Sequence, residues 1–390
     1  QHPELGFHEV RTAARLAREL RDAGFQVTEK VGGTGVVGLY RNGPGPVVMI
    51  RTELDALPMQ EKTGLPYASQ ATASYAGHET PVAHSCGHDI HMAAWVGVAR
   101  TLVEMKTRWS GTLMFVAQPS EEDDSGADAM LKDGLFQRFA KPDFALALHT
   151  GPFAYGMVGY RAGPIMSAED TLTVRFIGRG GHGSSPHATI DPILMASRFV
   201  VDVQGVVSRE KDPKAFGVVT IGAVDAGSAG NIIPDSATLR GTIRSYDDSV
   251  RGPLLAGVRR TAMAEAAMSG APAPDIEIRH DADPVVNDAA LAERLGGVFR
   301  AAFGPMAIVM DPAPASEDFG RYAREGVKTH YFFIGVYEPK RFFDSLRSGE
   351  PLPSNHSPLF APVPEPTIKT GVTAMALAAL ELLTPAPSER

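Results

Sequence analysis

Between His84 and His91 the chain reads His-Ser-Cys-Gly-His-Asp-Ile-His, and Cys86 is the only cysteine among 390 residues. Thiolate, imidazole and carboxylate are the donors that hold a divalent transition metal. Cys86-Gly87-His88 can aim sulfur and imidazole into one space across a tight glycine turn, whereas a lone cysteine is otherwise a small buried hydrophobe. The flanking histidines favour the ligand reading, while His84 and His91 themselves are read as structural. An acidic pair, Glu121-Glu122, follows the apolar run 113–117, and His149 and His356 each stand just past a hydrophobic or turn-rich segment. Paired glutamates are common on solvated helix ends, but after a buried strand one carboxylate can bind metal while its neighbour takes a proton. His149, at the end of Leu-Ala-Leu-His, is read as a ligand over a satisfied strand-end histidine. His356 in Asn-His-Ser-Pro has, on its own, the look of an ordinary loop residue. Together these groups suit a metal site with a general base beside it.

Such a site needs a frame. Helical spacing over 8–23 ends at Gly24, 47–50 has the apolar continuity of a buried strand, 113–117 and 144–148 repeat that pattern, and 91–103 is expected to be a helix. This is an α/β pattern with the candidate ligands at strand ends, where open sheets put their sites. The texture changes near residue 164. An alternating strand at 172–176, a helix at 192–207, strands at 216–224 and 237–243 and a helix at 250–268 belong to a smaller α+β, ferredoxin-like unit, expected to have four strands and two helices. A proline-rich stretch at 271–274 marks its far side. A helix at 289–303 and a strand at 331–335 resume the first texture. The expected architecture is a catalytic α/β domain, residues 1–163 and 281–390, with a mixed sheet flanked by helices, interrupted by an inserted lid domain, 164–280.

Composition limits the partners. With 44% hydrophobic and 21% charged residues the chain is ordinary globular material, and its length favours two domains over one. A net charge of −8, without a basic patch, argues against nucleic acid or anionic membrane. No apolar run reaches the roughly 18–20 residues that span a bilayer. One cysteine allows no internal disulfide, which favours a reducing, cytoplasmic setting, although the first residue is not methionine and a removed leader would change that.

The motifs His2-Pro3-Glu4-Leu5-Gly6, Arg51-Thr52-Glu53-Leu54-Asp55, the Cys86 stretch, Gln118-Pro119-Ser120-Glu121-Glu122, Gly181-His182-Gly183, Gly230-Asn231-Ile232-Ile233-Pro234 and Ser316-Glu317-Asp318-Phe319 resemble the M20 metallopeptidases, and within them the aminoacylase, hippurate hydrolase and auxin-conjugate hydrolase branch. The resemblance implies hydrolysis of N-acyl amino acid amides, with dipeptides or short peptides as the alternative substrates. It implies two divalent ions per chain, Zn, Mn, Co or Ni, held by Cys86, His88, Glu122, His149 and His356, with Glu121 as general base and Asp55 orienting a ligand. It makes the inserted domain a lid that pairs two chains into a homodimer. It also makes His182 an oxyanion donor to the partner's site, with His187 as its rival, and Asn231 a substrate contact. Arg244 is a candidate for the substrate carboxylate, an exposed strand-end arginine being equally compatible. Glu53 departs from the pattern, which usually has aspartate there. Two other classes stay open: a metal-free cysteine hydrolase built on Cys86, and a non-catalytic binding protein on the same fold.

Overall fold

The apolar residues at 47–50 form the middle of a longer strand, Val47–Glu53, in the computed structural model, which describes residues 1–384. This strand pairs in parallel with Gly111–Gln118 on one side and Phe144–Ala154 on the other, and the latter pairs in parallel with Lys328–Tyr337. Strands buried on both faces need continuous rather than alternating apolar sequence, which these four have. Among the described residues the sheet has eight strands. Gln26–Val31 and Gly35–Asn42 add antiparallel at one edge, and Val158–Tyr160 with Ala307–Val309 complete the other, so the sheet is mixed. Helices Val10–Asp22, His88–Glu104, Ala289–Phe303 and Pro364–Leu383 supply the rest of the core. Trp95 packs on Phe115 with ring centres 5.0 Å apart and donates its indole N–H to the Ile50 carbonyl at 2.9 Å. Burying aromatics of this size contributes about 1.5–3 kcal/mol each. No helix among the described residues is long and apolar enough to cross a membrane.

This first unit comprises Gln1–Ile165, Val285–Pro312 and the chain from Asp318 onward; a second comprises Met166–Pro284 and the short piece Ala313–Glu317. The second unit is an antiparallel sheet, ordered Gly217–Ala226, Ser236–Ser245, Ala168–Ile177, Asp275–Ala282. Helices Pro192–Gly205 and Asp248–Met268 share one apolar core with it, around Phe176, Phe199 and Leu239. Strand–helix–strand–strand–helix–strand in this order is the ferredoxin-like arrangement.

Several strands extend beyond the expected ranges, and three of the boundary differences have an evident physical reason. The helix expected from residue 91 begins at His88, because Gly87 takes φ +87°, a left-handed conformation that starts the helix abruptly. The strand expected to stop at Leu148 runs to Ala154, so His149 stands within it rather than past its end. The fourth strand of the small sheet, Asp275–Ala282, lies beyond the prolines at 271–274, which act as a connector and not as the unit's limit.

Candidate metal centre

Gly87 places two chemically distinct donors side by side. Its left-handed φ turns the chain between Cys86 and the first helical residue, His88, and a Cβ at this position would come within 2.4 Å of Thr150 Oγ1, so glycine is required. Cys86 is buried, and its Sγ lies 3.3 Å from His149 Nε2. His88 Nδ1 donates to the Asp55 backbone carbonyl at 2.9 Å, and His149 Nδ1 donates to the Thr150 carbonyl at 2.8 Å. Each of these bonds fixes the tautomer that leaves Nε2 as a lone-pair donor, as a metal-ligating imidazole requires.

The acidic pair enters from the end of Gly111–Gln118. Ser120 has φ +45°, and its N–H is held by the buried Glu9 carboxylate at 2.9 Å, so the turn that presents Glu121 and Glu122 is strained and braced. Burial, partly offset by hydrogen bonds, raises the Glu9 pKa. Glu121 Oε2 and Glu122 Oε1 stand 3.5 Å and 3.8 Å from His88 Nε2. The Glu122 N–H donates to Asp55 Oδ2 at 2.9 Å, and Glu122 Oε2 meets His356 Nε2 at 3.1 Å. His356 itself has φ +65° and donates its N–H to the Ser85 carbonyl at 2.8 Å, while Asn355 Nδ2 donates to the Cys86 carbonyl at 2.8 Å. Two successive loop residues, the second in left-handed backbone, are thus clipped to the cysteine turn, and the His356 ring meets Glu122 from there.

Three overlapping sets, Cys86/His88/His149, Cys86/Glu122/His356 and His88/Glu121/Glu122, each keep their donor atoms within 4.8 Å of one another. The charge balance of this cluster calls for a cation. Among the described residues Asp55 Oδ1, His88 Nε2 and Glu122 Oε1 are buried without a hydrogen-bond partner, a costly state that an ion would relieve. Burial, and then the charges of Glu122, Glu121 and Glu53, push the Cys86 thiol well above its ordinary value. Burial opposes a charge on His88, but the Asp55 hydrogen bond and the charges of Glu53, Glu122 and Asp55 outweigh it and raise His88 to about 10. Both shifts express one condition, an excess of negative charge in a dry site. The donor set fits divalent transition metal.

Those electrostatics also weigh against a cysteine nucleophile. Cys86 and His149 are close enough to form a dyad, but burial, followed by the neighbouring His91, drives His149 well below its usual range while the thiol rises. A thiolate nucleophile needs the opposite pair of shifts.

Two features were not anticipated from the sequence. His91 and Glu53 form a buried pair at 2.9 Å beside the cluster, and Asp318 accepts from Arg51 at 2.9 Å, from Gln118 at 2.7 Å and from the Ala127 N–H at 2.8 Å. The second of these knits the Arg51, Gln118 and Ser316–Phe319 motifs together through Asp318. His84 is largely enclosed, its pKa lowered by burial.

The remaining candidates belong to the second unit. His182 pairs with Ile232 in a two-residue bridge, and the Gly183 N–H donates to the Asn231 carbonyl at 2.8 Å, so His182 and Asn231 share one exposed turn region. The Ser184 N–H donates to His182 Nδ1 at 3.1 Å, which leaves the proton of a neutral ring on Nε2. His187 sits in the adjacent turn Pro186–Ala188, also exposed. Arg244 is paired with Glu169 at 2.8 Å, and Ser316 Oγ donates to the same carboxylate at 2.6 Å.

The profile of peptidase family M20/M25/M40 matches residues 49–346. A hippurate hydrolase of Campylobacter jejuni is 36% identical over 342 residues, 86% of this chain and 85% of its own length. A thermostable carboxypeptidase of Saccharolobus solfataricus is 33% identical over 387 residues, 98% of this chain and 92% of its own. Among solved structures, a Bacillus subtilis protein described as a dinuclear metal binding peptidase from the M20 family superposes with a TM-score of 0.80 at 27% identity, covering 99% of this chain and 95% of that one.

Proposed function

The chain belongs to peptidase family M20/M25/M40 and hydrolyses amide bonds, and on that premise we propose that its substrates are N-acyl amino acids, cleaved at a centre of two divalent ions. The observation that carries the metal reading is the trio of buried, unpartnered atoms, Asp55 Oδ1, His88 Nε2 and Glu122 Oε1, converging beside Cys86. Cys86, His88, Glu122, His149 and His356 would hold the ions, with Asp55 bracing His88 and the Glu122 backbone. Bound there, Zn, Mn, Co or Ni would supply Lewis acidity to the scissile carbonyl and acidify the attacking water. Glu121 accepts the proton of that water and returns it to the leaving nitrogen. His182 Nε2–H donates to the oxyanion from the partner chain of a homodimer formed through the second unit, and Asn231 contacts the substrate. Arg244 receives the substrate carboxylate by sharing or exchanging its bond to Glu169. The lone cysteine, serving as a thiolate ligand, fits a reducing cytoplasm.

The hippurate hydrolase relative supports acyl amino acids, and the carboxypeptidase relative supports a second reading, short peptides. Both substrates present an amide next to a free α-carboxylate, so the leaving amino acid is common and the acyl side decides. The test is a panel of benzoyl, acetyl and aminoacyl derivatives of one amino acid, assayed with each metal and after chelation. Acyl derivatives are expected to give the highest kcat/KM and chelation to abolish turnover. Higher kcat/KM on dipeptides would select the peptide reading, and undiminished activity in metal-free protein would refute the metal centre.

A further inference from the structure

The mechanism above leaves Glu53 and His91 unused, although both are shielded from solvent, Glu53 at 0% and His91 at 2% exposure. His91 lies one helical turn after His88. Its two nitrogens are both engaged. The Thr150 backbone N–H donates to Nε2 at 2.9 Å, and a peptide N–H can only donate, so the ring proton is on Nδ1. Nδ1 in turn donates to Glu53 Oε2 at 2.9 Å. The other Glu53 oxygen pairs with Arg51, whose guanidinium is also held by Asp318 at 2.9 Å and by Gln118 at 3.0 Å. One end of this relay is therefore anchored in the buried network of Arg51, Gln118 and Asp318.

The other end reaches two of the donors. The N–H that His91 accepts belongs to the peptide joining His149 to Thr150. Thr150 Oγ1 donates to the Cys86 carbonyl at 3.0 Å and packs against Gly87, where no Cβ would fit. A single imidazole thus braces the backbone behind His149 and, through one hydroxyl, behind Cys86.

We propose that Glu53 and His91 are a positioning pair: Glu53 fixes the His91 tautomer that accepts from Thr150, and the braced backbone holds Cys86 and His149 at the spacing an ion requires. The proposal rests on the metal-centre reading. The same atoms allow a rival assignment, since the donors of Glu53, His88 and His91 also lie within 4.8 Å of one another and could form a further cation site. Hydrogen-bond accounting opposes it. Both His91 nitrogens are occupied and His88 Nδ1 is committed to the Asp55 carbonyl, so the one imidazole nitrogen left in this set, His88 Nε2, is the one already assigned to the centre with Cys86.

The test is made on the whole chain loaded with cobalt, reading affinity by chelator competition and the Cys86 environment by the thiolate-to-cobalt absorption band. His91→Ala is expected to weaken binding about 10–100-fold, the usual effect of removing a group that orients a ligand, and to shift the band. His91→Gln, whose amide oxygen can accept from the Thr150 N–H, should recover most of the affinity. His91→Asn, which keeps only the Glu53 contact, should not. Thr150→Val is near-isosteric and removes only the hydroxyl behind Cys86, so it should move the band even if His91→Ala fails to fold. Wild-type affinity and an unchanged band in His91→Ala, equal recovery by Asn and Gln, or an unmoved band in Thr150→Val would overturn the pair. Fewer ions bound by His91→Ala with the band unaltered would make the two residues ligands instead. A wild-type chain that binds no cobalt would overturn the metal-centre reading, and the pair with it.

Discussion

Glu121 and Glu122 are identical side chains on adjacent residues, and their surroundings suit the different roles proposed for them. Glu122 is tied at both ends, by its N–H to Asp55 and by its carboxylate to His356, whereas Glu121 Oε2 faces His88 Nε2 at 3.5 Å from a site that is 6% exposed. A tethered carboxylate suits a ligand, and one in a nearly dry cleft suits proton transfer. Glu121→Gln is therefore expected to retain both ions by metal analysis and lower kcat about 10²–10⁴-fold, since the amide keeps the shape but cannot take a proton. Near-normal kcat in the metal-replete variant would move the base elsewhere. At this scale, legibility followed sequence distance. Cys86 and His88 were readable because one glycine separates them, and Glu121-Glu122 because the pair follows a buried strand. His356 carried no local signal: its left-handed φ and its clip to Ser85 exist only in the folded chain. The Glu53–His91 bond was hidden for the same reason, because it joins a strand end to a helix and either residue alone has an ordinary structural explanation.

At the scale of elements, the strand Lys328–Tyr337 contains a histidine that opposes stability in acid. His330 is fully buried between Phe299 and Phe332, and neither ring nitrogen has a hydrogen-bond partner among the described residues. Burial lowers its pKa to about 3, against about 6.5 in an unfolded chain. Between those values the unfolded chain binds the extra proton, so stability rises with pH, and His330 imposes no penalty above pH ~6.5. As pH falls below that point the penalty grows by about 1.4 kcal/mol per unit until it levels off near 3. His330→Leu should remove this slope, so that at pH 5 it gains about 2 kcal/mol on the wild type relative to their difference at pH 8. Urea unfolding of both proteins in chelator, which removes metal linkage, measures it; an equal difference at the two pH values would show that the ring is solvated or partnered. The elements themselves were legible wherever periodicity was long, as in Val10–Asp22, Ala289–Phe303 and the central strands. Their ends were not. A helix start at Gly87 depends on a φ, the extension of Phe144–Ala154 depends on pairing with Lys328–Tyr337, and prolines at 271–274 can end a unit or merely connect its last strand.

At the scale of the molecule, the chain leaves its first unit at Ile165, returns at Val285, and later lends Ala313–Glu317 to the second. The change of texture near 164 signals the excursion, but five residues with no periodicity cannot signal the loan. Ser316, in that borrowed piece, bonds the Glu169 carboxylate that also holds Arg244, so the assignment of this segment bears on the proposed substrate contact. The proposed dimer gives the second unit its part in catalysis. His182 is exposed and its Nδ1 accepts from the Ser184 N–H, so a neutral ring carries its proton on Nε2 and can donate a hydrogen bond there. His182→Ala should leave metal content and unfolding midpoint unchanged while lowering kcat about 10²–10³-fold, the scale of one oxyanion donor. If the donor comes from the partner chain, equal mixing of His182→Ala with Glu121→Gln restores turnover. Half of the randomly reassorted dimers are then hybrids, and each hybrid assembles one complete site, from the Glu121 of one chain and the His182 of the other. About one quarter of wild-type activity should return once subunits have exchanged. Exchange demonstrated by a mass-tagged hybrid, without any return of activity, would assign His182 to its own chain's site or to none.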